Sequence, residues 1–136
     1  MYKENISFAD RIIAGISYYT FGTVGAIWVI VSYIMKRQVS TFLQYHVYMA
    51  IFLYLAFFLL RLLIAVLAGF LSVIPFIRTL IKQADYILNS PIYMNYSTIQ
   101  IFVYSLMIYL ILTALLGMYS YIPWVSKIIS EISNRR

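Results

Sequence analysis

Twenty-four consecutive residues, Ile12 to Met35, carry no formal charge, and this run limits the possible folds more than anything else in the chain. A helix over it would be about 36 Å long, enough to cross a hydrocarbon core of about 30 Å with some tilt. The run therefore predicts a first membrane span over 12–35, closed by the polar stop Lys36-Arg37-Gln38. Gly15, Gly22 and Gly25 lie along it. Gly22 with Ala26 forms a small-xxx-small pair at which another helix can come close, although glycines are also simply tolerated in membrane helices.

A second apolar run goes from Thr41 to Ile77 and is interrupted by one charge, Arg61. His46 and Arg61 are separated by about 22 Å along a helix. Each can thus sit near an opposite interface, with the arginine snorkelling outward, and the second span is expected over 42–62. The stretch 63–77 is short for a span of its own. It reads as a continuation of the second helix or a short hairpin, with a re-entrant segment or a short fourth span as alternatives. From Arg78 to Asn89, apolar Leu80, Ile81, Ala84, Ile87 and Leu88 recur at helical spacing opposite Arg78, Lys82, Asp85 and Asn89, as in a helix lying in the interface. Asn89-Ser90-Pro91 ends it, because a residue before proline avoids the α region. A third span is expected over 97–119, bracketed by Tyr93, Tyr96, Tyr119, Tyr121 and Trp124 as an aromatic belt. Residues 122–134 form a last amphipathic segment on the membrane surface.

Composition agrees with this class. Hydrophobic residues make up 64% and charged residues 10%, against about 45–50% and about 25% in soluble chains. The expected fold is one all-α integral membrane domain over 1–136, with three transmembrane helices and interfacial helices at 78–89 and 122–134. No signal or transit peptide is recognisable at the start, so the chain is read as unprocessed. The ten basic residues outnumber the four acidic ones but sit singly or in pairs between apolar runs. That placement suits anionic lipid head groups and not a nucleic acid, which would require a clustered basic face. Lys3, Arg11, Arg78 and Lys82 fall on one side of a three-span topology, and Lys36, Arg37, Lys127, Arg135 and Arg136 on the other. Four against five does not set an orientation.

Little in the sequence points to catalysis. All four acids, Glu4, Asp10, Asp85 and Glu131, fall outside the expected spans, so no carboxylate pair or proton relay is expected within the bilayer. The chain has no cysteine, and His46 alone cannot supply the three or four ligands of a metal site. No enzyme activity, cofactor or metal is expected. As a histidine at a membrane edge, His46 is expected to hydrogen-bond head groups or a neighbouring helix. Tyr33, Tyr54, Tyr104 and Tyr109 lie within the spans, where they either line a polar path or bond between helices. Gln100, Ser105 and Thr113 are expected as interhelical hydrogen-bonding groups.

Three stretches carry a family resemblance. Ala114-Leu-Leu-Gly-Met-Tyr-Ser-Tyr-Ile-Pro123 follows an Ala-Leu-x-Gly-x-Tyr-x-x-Ile-Pro pattern leaving the last span. Lys36-Arg37 is followed by Phe42-Leu-Gln-Tyr-His-Val-Tyr-Met-Ala50, and Arg11-Ile-Ile-Ala-Gly-Ile-Ser-Tyr18 opens the first apolar run. Together these resemble the twenty-kilodalton component family of the chloroplast inner-envelope (Tic) protein translocon, which includes bacterial relatives. Plant members have four spans and a longer connection between the first two. Here Arg11 to Met35 leaves room for one span or a tight glycine hairpin around Gly22, which fits a shorter bacterial-type relative.

The resemblance implies a noncatalytic membrane subunit acting in protein translocation or membrane-protein assembly, residing in a bacterial inner membrane or, less in keeping with its length, a plastid-type inner membrane. Its partners would be other membrane proteins or further copies of the chain, with a translocating polypeptide as a possible client. The residues singled out are His46, Tyr45, Ala114, Gly117, Tyr119 and Pro123 within the stretches of the family signature, and Gly22 and Arg61 as helix-contact and interface candidates from spacing. A small-molecule or lipid-binding transporter is the alternative, with the span tyrosines lining a cavity.

Overall fold

In the computed structural model, which describes residues 6–134, the first apolar run is not one helix. It forms α1 (Phe8–Tyr19) and α2 (Thr23–Ile34), 12 residues each and so about 18 Å long, too short to cross a bilayer singly. The expected span over 12–35 is thereby corrected to a helical hairpin. The cause is local: Phe21 and Gly22 both adopt left-handed backbone, at φ 54° and 85°. The amides of Phe21 and Gly22 donate back to the carbonyls of Tyr18 and Ser17, the Schellman arrangement that closes a helix. Gly22 therefore sits in the turn, at the N-cap of α2, and Gly25 serves the close helix approach. A Cβ on Gly25 would come within 2.5 Å of Val47 Cγ2 and nearer still to Ser17 Oγ.

The second apolar run forms α3 (Thr41–Leu71), a continuous helix of 31 residues. Span 42–62 and its continuation thus belong to one element, which ends at Leu71 instead of reaching Ile77. After a turn, Pro75 opens α4 (Pro75–Asn89), in which no residue is buried. Between α4 and the next helix lies a feature absent from the sequence reading, a β-hairpin of β1 (Pro91–Tyr93) and β2 (Tyr96–Ser97). Met94 and Asn95 at its tip both have positive φ, 44° and 68°, matching the turn that suits strand twist in two-residue loops. Helix α5 (Thr98–Leu115) follows. Ser97 and Gln100 cap it reciprocally, the Ser97 amide donating to Gln100 Oε1 and the Gln100 amide to Ser97 Oγ. This is a capping box, so Gln100 is an end-cap and not an interhelical group. Ser105 and Thr113 likewise donate to carbonyls of their own helix, Ile101 and Leu110. Helix α6 (Val125–Asn134) completes the described chain.

The chain divides into two compact units, one comprising the residues up to Tyr54 and from Met107 onward, the other Leu55–Leu106. The first holds the core: Ala14 and Tyr18 from α1, Phe42, Leu43, Val47, Met49 and Ala50 from α3, Leu110 and Ala114 from α5, and Ile129 from α6 are buried. In the second, Ser97 is the one buried residue. Two helices, α3 and α5, are long and apolar enough to cross a membrane. Three spans were expected, and α1 and α2 do not supply the third. Only 6% and 17% of the most apolar 18-residue windows of α3 and α5 are buried, the reverse of a core helix in a soluble protein. Of the charges that weighed on orientation, Lys3, Arg135 and Arg136 lie outside the described residues, as does Glu4 among the acids.

Candidate functional site

His46, four residues past the second residue of α3, is fully buried and is the centre of a polar network that joins three segments of the first unit. Its Nε2 lies 3.2 Å from the Met118 carbonyl, and its Nδ1 lies 2.7 Å from the Tyr18 hydroxyl. A carbonyl oxygen only accepts, so Nε2 carries the proton and the Tyr18 hydroxyl donates to Nδ1. One neutral tautomer thus satisfies both bonds and ties α1 and the segment after α5 to α3. From the residue just before it on α3, the Tyr45 hydroxyl donates to the Ser120 carbonyl at 2.6 Å.

Aromatic rings fill the space around these bonds. Phe42 packs edge-on to His46 at a centroid distance of 4.4 Å. Tyr119 lies nearly parallel to the His46 ring at 6.2 Å and edge-on to both Phe42 and Tyr45. Such offset and T-shaped arrangements suit ring quadrupoles. The periodicity of α3 explains the set: Phe42, Tyr45, His46 and Met49 recur at three- and four-residue steps, so they share one face.

The segment received by this face is shaped by Gly117. At φ 73° it ends α5 in a second Schellman turn, Met118 N donating to Thr113 O and Gly117 N to Ala114 O. The turn directs the Met118 and Ser120 carbonyls toward α3. The Arg11 guanidinium lies against Gly117, where an added Cβ would be 2.9 Å from Cζ. A cation there faces the negative end of the α5 dipole. Arg11 Nε is buried without a hydrogen-bond partner among the described residues, so the cluster retains unmet polar capacity.

Of the residues singled out in the sequence, His46, Tyr45, Gly117 and Tyr119 meet here, and buried Ala114 lies one helical turn before Gly117. Gly22 belongs to the α1–α2 turn, packed on Ile51 of α3. Arg61 and Pro123 are exposed and take no part in the network. His46 bonds neighbouring segments, one of its two expected modes. In the sequence, Tyr18, Phe42 and Arg11 stand out only as parts of patterned stretches. Their signal was present: Tyr18 falls on the same face of α1 as Arg11, Ala14 and Gly15, at helical spacing. The span tyrosines do not converge. Tyr33, Tyr54 and Tyr104 are exposed, Tyr54 packing on Phe21 and Tyr104 on Tyr96, while Tyr109 bonds the Tyr121 backbone. Among the described residues, no three His, Cys, Asp or Glu side chains gather as a metal site would require.

What the cluster can do chemically is hold chain segments together and present a hydrogen-bonded, apolar-sheathed surface. No protein-family model, curated protein or solved structure matches the chain.

Proposed function

We propose that this chain is a noncatalytic membrane subunit of the type represented by the Tic twenty-kilodalton component, acting in protein translocation or membrane-protein assembly in a bacterial inner membrane. One observation carries the reading. The three stretches that bear the resemblance, 11–18, 42–50 and 114–123, lie far apart in sequence, yet Arg11 and Tyr18, Phe42 with Tyr45 and His46, and Gly117 through Ser120 build one cluster. A pattern whose members meet in space has a common structural cause, and here that cause is a clamp that fixes a small bundle.

Residues 55–106 supply the complementary half of the argument. Phe57, Phe58, Leu59, Leu62, Leu63 and Phe70 are all exposed, an apolar expanse that lipid tails or partner helices must cover. A subunit needs both parts: a self-consistent core, and a surface that others pack on. Few helices cannot enclose a pore, since side chains fill a narrow bundle, so conduction of a polypeptide would require partners or further copies.

Photo-crosslinking in native membranes tests this. A crosslinker replacing Tyr54 or Tyr104, both about half exposed, is expected to capture discrete protein partners. Recovery of lipid adducts alone from both positions would remove the subunit reading.

A further inference from the structure

The α1–α2 hairpin returns the chain to its starting level, and this creates a second polar feature unrelated to His46. Ser40 Oγ donates to Asp10 Oδ2 at 2.9 Å across 30 residues of sequence, and it also accepts from the Leu43 amide at the start of α3. Beside this link is an open cleft of about 470 Å³ lined by Asp10, Trp28, Ser32, Arg37, Gln38 and Ser40, with Val39, Thr41 and buried Leu43 completing it. The volume lies within the range of about 300–1,000 Å³ typical of small-ligand sites.

We propose that this cleft binds the head group of a zwitterionic phospholipid bearing a phosphodiester and a primary ammonium, as in phosphatidylethanolamine. The lining supplies one formal charge of each sign. Arg37 presents a guanidinium fork suited to two phosphate oxygens. Asp10 accepts from Ser40 through one carboxylate oxygen, and a carboxylate has further lone pairs that can accept from an ammonium. A simple anion would meet Asp10 repulsively, and a simple cation would meet Arg37 so. Only a ligand carrying both charges complements both residues.

The primary amine is preferred over a quaternary one because it donates hydrogen bonds to the carboxylate and to the Ser32 hydroxyl. A quaternary ammonium donates none and is held instead by several aromatic faces, of which the cleft has one, Trp28. Depth argues for a lipid over a soluble phosphoamine. The cleft adjoins Thr41, where the apolar α3 begins, and contains the polar stop of α2; charged residues and tryptophan at the end of a span mark the head-group layer.

The test is lipid retention by the purified full chain in detergent, read by native mass spectrometry against phosphatidylethanolamine, phosphatidylcholine and phosphatidylglycerol of matched acyl chains. The wild type is expected to retain the ethanolamine lipid most tightly. Arg37→Gln should weaken that binding about tenfold, the scale of one lost charge-assisted contact. Asp10→Asn should abolish the preference over the glycerol lipid. Ser40→Ala breaks the Asp10–Ser40 bond but keeps the carboxylate, and should preserve the preference; this separates charge recognition from loss of fold. Equal retention of all three lipids by the wild type would overturn the proposal, as would an ethanolamine preference untouched by Arg37→Gln and Asp10→Asn. Displacement of the lipid by an equal concentration of soluble glycerophosphoethanolamine would overturn the lipid source.

Discussion

Tyr18 has one polar atom, and its placement makes it a sensitive probe of the cluster. Tyr18→Phe leaves His46 Nδ1 without its donor inside a buried site, with an expected loss of about 1 kcal/mol, toward the upper part of what interhelical hydrogen bonds contribute in membranes. His46→Ala removes a fully buried ring and both bonds and should cost about 2–4 kcal/mol. Denaturation in mixed micelles measures both; losses below about 0.5 kcal/mol in each would mean that the network does not hold the bundle. Two glycines give an opposed pair. Gly25→Ala forces a methyl against Ser17 and Val47 and should destabilise by about 1–3 kcal/mol. Gly69 has nothing within 4 Å of an added Cβ, so Gly69→Ala in mid-helix should stabilise by about 0.5–1 kcal/mol. At this scale the sequence identified His46, Tyr45, Gly117 and Tyr119 as worth attention. Tyr18 and Arg11 could not be assigned to them, because nothing in a linear pattern says which face of α1 meets which face of α3.

Helix boundaries governed by proline and by polar stops were readable: α4 ends at Asn89 before Pro91, and α2 ends just before Lys36. The break between α1 and α2 was not fixed by hydropathy, and stood only as the alternative of a tight glycine hairpin around Gly22. Hydropathy is blind to it because both arms are apolar, and the turn is made by left-handed Phe21 as well as Gly22, a residue with no preference for that conformation. The hairpin has a direct consequence for topology. Phe8 and Met35 flank it and are exposed, and the native chain has no cysteine. Single cysteines at these positions should react with an impermeant maleimide from the same side of a sealed vesicle. Reaction from opposite sides would restore one continuous span over 12–35. The β-hairpin at 91–97 was also unreadable, since its Met94-Asn95 turn lacks the glycine that usually signals such loops. Helix α3 carries its own tension, being about 46 Å long against a hydrocarbon core of about 30 Å. Arg61 lies about 30 Å from Thr41 along it, so if Thr41 marks one interface, Arg61 reaches the other and the ten residues after it continue past the core.

At the scale of the whole molecule, apolar character was legible from run lengths, and packing was not. Periodicity cannot separate a face turned to lipid from one turned to another helix, because both are apolar. Hence Leu43 and Met49, fully buried, and Leu59 and Leu63, exposed, look alike in the sequence. The first unit is nevertheless distinctive in using both ends of the chain. Its two anchoring acceptors, the carbonyls of Met118 and Ser120, lie 72 and 75 residues beyond His46 and Tyr45. During synthesis at about 5–20 residues per second, His46 therefore waits about 4–14 s for its acceptor to be translated. Through that interval the N-terminal hairpin and α3 have emerged with no closing segment, and whatever shelters them in the nascent state, insertion machinery or lipid, must act before the chain can shelter them itself.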